Sequence, residues 1–207
     1  MTEKEKMIAG MIYDPSDKEL APARIKCHNL CVEFNSTKED DPKRAILQKE
    51  LLPNADPSFG LMSPCHFDYG YNIYVGKNSF ANFGFTVLDT CKVIIGDDVF
   101  MGVNVTLVTP IHPLLNEERK TKFKDNGEAY DDEYGGPIEI GSGTWIASNV
   151  IVGPNVKIGK NCVIGMGSVV TKDIPDDYLA YGNPCKPIRK ITEKDSICLK
   201  MNLWEKK

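Results

Sequence analysis

From Ile140 onward, aliphatic residues recur every six positions. Ile140, Ile146, Val152, Ile158, Ile164 and Val170 are each followed by a residue that is nearly always tiny: Gly141, Ala147, Gly153, Gly159, Gly165 and Thr171. The fifth places of the same frame, Thr144, Val150, Val156, Cys162, Ser168 and Ile174, are small or β-branched. Neither a helical period of about 3.6 nor a strand period of about 2 produces this pattern. A solenoid with one short strand and one corner per repeat does. The aliphatic side chain points into a narrow prism, and the small residue leaves room at the corner. The frame also runs earlier, through Val75, Ala81 and Val87. It slips by two residues around Asp89–Lys92 and resumes at Ile95, Met101 and Leu107, with Gly76, Gly96 and Gly102 in register. The slip predicts a bulge or a wider corner, a place where a site can form. Between Pro110 and Pro137 the frame is lost altogether, which predicts a loop extruded from the prism.

Ahead of the repeats the periodicity is helical. Thr2-Glu3-Lys4-Glu5 and Ser16-Asp17-Lys18-Glu19 both read as capping boxes, with Asp14-Pro15 breaking the chain between them. Leu20, Ala23, Cys27, Leu30, Cys31 and Phe34 then share one helical face. A further helix is expected from Asp41-Pro42, carrying Ile46, Leu47, Leu51 and Leu52. A solenoid end is an open β edge, so this block is expected to cover it. Asp14 and Asp17 are the polar residues in it that could also meet a substrate. After Pro175 come a turn signal at Gly182-Asn183-Pro184, the basic group Lys186, Arg189 and Lys190, and a short helix expected over 192–204. The expected division is a helical cap over 1–58, a β-helix over 59–190 with its loop at 110–137, and a helical tail over 191–207.

Bulk properties narrow the functional classes. A chain of 207 residues makes one domain with small extensions, and a net charge of −4 with mixed signs gives nucleic acid no electrostatic footing. No run of about 18 apolar residues exists, and the charged start MTEKEKMIAG does not read as a secretory signal. Seven cysteines without a CxxC pair suit reduced thiols in the cytoplasm, and no second ligand pair joins Cys27 and Cys31 as a zinc site would need. GxSxG, P-loop, GxGxxG and HExxH motifs are all missing. The chain has three histidines. His28 reads as a helix-surface or capping residue, and His66, near Asp68 and Tyr69, as a packing residue with a turn hydrogen bond. His112 opens the extruded loop and is stiffened by Pro113, where an imidazole can remove a proton near neutrality. A three-histidine metal site would need its ligands inside the coils, and two of the three are expected to lie before the repeats begin.

Several stretches carry a more specific likeness: EKEKMIAGMIYDPSDKEL, DYGYNIYVGKNSFANF, LDTCKVIIGDDV, the IHP segment, GTWIASNVIVGPNVKIGKNCVIGMGSVVTKDIP and YGNPCKPIRK. With these the sequence resembles the hexapeptide-repeat O-acetyltransferases of the maltose and galactoside group. The resemblance implies a left-handed parallel β-helix, a homotrimer with active sites between subunits, and acetyl-CoA as donor with no metal. It implies that His112 is the catalytic base of a direct transfer. It maps acceptor binding to Asn82, Asp68 and Asp14. CoA binding maps to Ser148, Met166, Thr171, Lys172, Lys186 and Arg189, and Trp145 either lines a groove or only packs. Galactoside enzymes have serine, tyrosine and aspartate where this chain has Asp68, Phe80 and Thr90, and Asp68 with the LDxC text of Leu88–Cys91 resembles the maltose type more. The acidic segment Asp131-Asp132-Glu133-Tyr134 departs from both. The reading is therefore an acetyltransferase acting on a small-sugar hydroxyl. A same-fold enzyme with another acceptor, and a silent β-helix binding module, are the alternatives.

Overall fold

The structure is a computed structural model that describes residues 1–200 together with Leu203. Short strands stack into three parallel sheets that form the faces of a triangular prism. Face one stacks Asn54–Ala55, Ile73–Val75, Val93–Ile95, Ile138–Ile140 and Val156–Ile158. Face two stacks Gly60–Leu61, Phe80–Ala81, Phe100–Met101, Trp145–Ile146, Val163–Ile164 and Tyr178–Tyr181, and is closed by the antiparallel strand Lys186–Lys190. Face three stacks Cys65–Phe67, Phe85–Leu88, Thr106–Val108, Ile151–Val152 and Val169–Val170. Each six-residue repeat is one face. Its aliphatic residue fills the prism: Ile146, Val152, Ile164 and Val170 are all 0% exposed.

Corners explain the small second residue. A Cβ on Gly141 would lie 2.6 Å from the backbone of Gly159 in the next coil, so stacked corners exclude side chains there. Further along each corner the backbone turns through the left-handed region, at Asn78, Asp98, Asn104, Asn149, Asn155 and Asn161 (φ 53° to 59°). Asn and Asp tolerate that conformation because a short polar side chain bonds locally. The two-residue slip is a real difference in coil length. Val75 pairs with Ile95, whereas Ile140 pairs with Ile158, and the extra residues lie in the corners between faces three and one.

Three helices cover the N-terminal end: α1 (Glu3–Ile8), α2 (Leu20–Ser36) and α3 (Lys43–Leu51). Thr2 caps α1 with a complete capping box. The second box expected at Ser16 is not formed. Asp14 Oδ1 accepts from Ser16 N (2.9 Å) and Asp17 Oδ1 from Glu19 N (2.8 Å), so two tight carboxylate turns deliver the chain to α2 without the serine hydroxyl. On α3, Leu47 and Leu51 are buried while Ile46 faces solvent. The open end of the solenoid is met by side chains. Asn35 bonds both N–H and C=O of Cys65 at 2.9 Å, as a neighbouring strand would. Buried Arg44 donates to the carbonyls of Thr37 and Leu61, and Gln48 to Phe59 O (2.7 Å). The first strand, Asn54–Ala55, already pairs in face one, so the coil begins slightly before residue 59.

At the other end, the helix expected over 192–204 is, in its described part, two 3-10 turns, Glu193–Asp195 and Ile197–Leu199. Thr192 and Asp195 close a capping box around one turn, and Ser196 (φ −58°, ψ 130°) leaves helical geometry at once. Residues 201, 202 and 204 lie outside the described residues. No helix among the described residues is long and apolar enough to cross a membrane.

Candidate active site

The extruded loop leaves face three at Thr109 and returns to face one at Ile138. Its root is fixed by polar bonds inside the prism edge. The buried Thr109 hydroxyl donates to Leu88 O (2.7 Å), accepts from Cys91 N (3.0 Å) and lies 3.0 Å from the Thr90 hydroxyl. One step out, Pro110–Ile111 pairs antiparallel with Tyr134–Gly135 and makes a neck. His112 therefore emerges immediately beyond a closed ladder and is restrained on its other side by Pro113. Further out, Asn116–Arg119 is a single helical turn and Lys122–Phe123 pairs with Ala129–Tyr130.

The half-exposed imidazole of His112 stands between two carboxylates. Nδ1 is 3.8 Å from Asp131 Oδ2 and Nε2 is 3.9 Å from Glu133 Oε2. These are electrostatic contacts, too long for hydrogen bonds. Glu133 itself is held tightly. It exchanges both backbone bonds with Tyr13 (2.9 and 3.3 Å), and its Oε1 accepts from the Tyr13 hydroxyl at 2.5 Å. Burial pushes the Glu133 carboxyl above the ordinary glutamate range, opposed by the Tyr13 hydrogen bond and the His112 charge. Burial, with Glu133 alongside, likewise drives the Tyr13 phenol up.

Asp68 occupies the same prism edge two coils earlier. Its side chain is 18% exposed, and His28 Nε2 on α2 lies 3.4 Å from its Oδ1. Burial raises the Asp68 carboxyl, while the His28 bond and the His28 and Arg24 charges pull it back. Arg24 donates to the Tyr69 hydroxyl (3.2 Å) and the Pro15 carbonyl (3.3 Å). In the next coil Asp89 is fully buried and accepts from Tyr69 N (2.8 Å) and Asn72 N (3.3 Å), so it staples the corner that carries Asp68. Burial lifts its carboxyl to about 7. Asp14 is largely committed: Lys124 Nζ from the loop lies 2.6 Å from Oδ2.

The other expected site residues lie elsewhere. Asn82, Ser148 and Met166 occupy corners along the edge between faces two and three, with the Gly102–Val103 corner between the first two, and Trp145 projects from face two, half-exposed. Asn82 Oδ1 accepts from Phe83 N (2.8 Å), and Ser148 Oγ from Val103 N (3.2 Å). Thr171 and Lys172 are exposed on the His112 edge, beyond the last strand of face three. Lys186 and Arg189 lie on the final strand of face two. Arg189 forms a two-point pair with Asp195 (2.6 and 2.8 Å), while among the described residues Lys172 and Lys186 form no ion pair. One chain thus gathers His112, Asp68 and Asp14 on one edge and leaves Asn82, Ser148 and Met166 on another. Sequence reasoning missed Glu133, Asp131, Tyr13 and His28 as neighbours of the site. The lone signal was the acidic run before Gly135.

A prism of six-residue repeats has known counterparts. Residues 6–55 match the maltose acetyltransferase hexapeptide capping motif. Residues 137–172 match the bacterial transferase hexapeptide of six repeats, and residues 92–112 the hexapeptide repeat of succinyl-transferase. The chain is accordingly an acyltransferase of the hexapeptide-repeat class. It is 40% identical to the galactoside O-acetyltransferase of Escherichia coli over 94% of this chain and 92% of that protein. The crystal structure of a maltose O-acetyltransferase from Clostridium difficile 630 superposes with a TM-score of 0.83 at 42% identity, covering 93% of this chain and 99% of that one. A galactoside acetyltransferase in complex with coenzyme A gives 0.82 at 38% identity, covering 94% of each chain. The protein belongs to the maltose and galactoside O-acetyltransferase family.

Proposed function

We propose that the protein transfers the acetyl group of acetyl-CoA to a hydroxyl of a small sugar of the maltose, glucose or galactoside kind, with His112 as general base. The observation that carries this reading is the placement of His112. It is solvent-accessible at the neck of a braced loop, with a carboxylate near each ring nitrogen. A sugar hydroxyl is a poor nucleophile. His112 removes its proton as the oxygen attacks the thioester carbonyl, and returns that proton to the sulfur when the C–S bond breaks. Glu133 and Asp131 stabilise the imidazolium between those two events, at 3.9 and 3.8 Å from its two ring nitrogens. Acetyl-CoA supplies the activated acyl group. Thr171 and the exposed corners carrying Ser148 and Met166 would accompany its arm. Lys172 and Lys186, which form no ion pair among the described residues, would meet its phosphates, whereas Arg189 would have to exchange Asp195 first.

Asp68 and Asn82 are the acceptor contacts in this reading, with Asp14 holding the loop as much as the ligand. The two stand on different edges of one chain, so the site is completed by a neighbouring copy in a homotrimer. Phe100 and Trp145, both about half exposed on face two, offer apolar surface for that contact (53% and 51%). Seven free thiols, six of them buried, suit a reducing cytoplasm. The test is CoA release measured over a panel of glucose, maltose and galactosides. Acceptor-dependent release by the wild type should fall at least about a hundredfold in His112→Ala, with CoA affinity retained. Release that survives the substitution would remove His112 from the chemistry.

A further inference from the structure

α2 crosses the outside of face three above Cys65–Phe67, and the crease between them opens into a cleft of about 280 Å³. Val32 and Leu88 give it apolar walls, and His28, His66 and Asp68 give it polar ones. The Asn35 amide beside them is already spent on the backbone of Cys65. Asp68 is the unusual member. Its side chain is largely enclosed, yet among the described residues its one side-chain partner is His28, at 3.4 Å. A well-formed bond between an imidazole N–H and a carboxylate is nearer about 2.8 Å, and a carboxylate can accept several donors at once. The pair is therefore under-bonded and faces open space. The cleft opens on the prism edge that carries His112, two coils earlier along the stack.

Building on the reading of Asp68 as an acceptor contact, we propose that His28 is a specificity-determining residue, forming with Asp68 a reader for one hydroxyl of a neutral sugar ring. A hydroxyl is both acceptor and donor. It can accept from the imidazole N–H and donate to the carboxylate, satisfying both groups, while the ring's C–H face lies against Val32 and Leu88. An ammonium in that place would serve Asp68 but leave the imidazole donor unpaired. A carboxylate would face Asp68 with like charge. A deoxy sugar would leave both groups without a partner, the situation in which polar sites discriminate most strongly.

The experiment compares wild type with His28→Ala on whichever of glucose, maltose or methyl β-galactopyranoside the wild type acetylates, and on the monodeoxy analogues of that sugar. We expect one analogue that retains the reacting hydroxyl to lose about tenfold or more in kcat/KM with the wild type. His28→Ala should lose a similar factor on the parent sugar and then discriminate less than about threefold. Its kcat at saturating acceptor and its KM for acetyl-CoA should stay close to wild type. His28→Gln, which keeps an N–H donor, should restore most of the discrimination. Undiminished discrimination in His28→Ala overturns the proposal. So does a loss accompanied by a raised KM for acetyl-CoA or a lowered melting temperature, which marks general distortion. A wild type that binds acetyl-CoA but acetylates none of the three sugars overturns the sugar reading itself, a result distinct from both.

Discussion

At the scale of single residues, His112 is positioned by backbone and flanked by charge. The neck ladder and Pro113 fix where it stands, and the carboxylates at 3.8 and 3.9 Å act on it through space. We predict that Glu133→Gln lowers kcat about tenfold, keeps KM for acetyl-CoA, and moves the acid limb of the rate profile to lower pH. The sign follows from burial. The Glu133 carboxyl is raised, so its charge is lost on acidification sooner than that of a free glutamate, and the variant no longer carries that loss. An unchanged acid limb would detach Glu133 from the proton transfer. His112 was legible in the sequence because an isolated histidine in a loop that breaks a regular repeat stands out. Its partners were not. Tyr13 and Glu133 are bonded across 120 positions, and nothing local in either segment marks the pair.

Elements are held in place by a few residues with one permitted conformation or one permitted partner. Gly70 turns the corner after Asp68 at φ +75°, and a Cβ there would lie 2.0 Å from Leu51 O. Gly70→Ala should cost about 2 kcal/mol or more, seen as a lower denaturation midpoint, with acceptor KM rising because Asp68 moves with the corner. The neighbouring Asp89 makes a pH-dependent contribution. Its folded carboxyl titrates near 7 against 3.8 when unburied, so the folded state holds an extra proton between those values. Stability from this group is therefore fully present at low pH and is lost as pH rises toward 7, by on the order of 4 kcal/mol. Melting temperature should fall more steeply from pH 5 to pH 8 in wild type than in Asp89→Asn, and parallel curves would refute this. The two-residue slip in the repeat flagged the corner. That its carboxylate would be buried and serve as a staple was invisible, since the backbone N–H groups it holds belong to the previous coil. The misread capping box at Ser16 has a similar origin. Asp14 and Asp17 competed for the same N–H groups and won, being the stronger acceptors in tight turns.

For the whole molecule, six-residue periodicity determined the architecture because most stacked corners leave room only for a small residue and each repeat buries an apolar side chain. What periodicity could not supply was the relation between edges. In a straight prism His112 and Asn82 belong to different corners, and no bend within one chain brings them together. In the proposed homotrimer a ring of copies would. Opposed apolar surface should hold it, and we predict that Trp145→Glu combined with Phe100→Glu yields a folded monomer with no transferase activity by sedimentation and CoA-release assays. A stable trimer from that variant would place the contact elsewhere. The most direct test is complementation between two inactive chains. His112→Ala and Asn82→Ala should each transfer acetyl groups at no more than about one percent of wild type. Co-expressed in equal amounts, they should regain about a quarter of wild-type activity, because random cyclic assembly unites an intact His112 edge with an intact Asn82 edge at about one interface in four. A mixture as inactive as its parents, with mixed trimers demonstrably present, would contradict a site shared between copies.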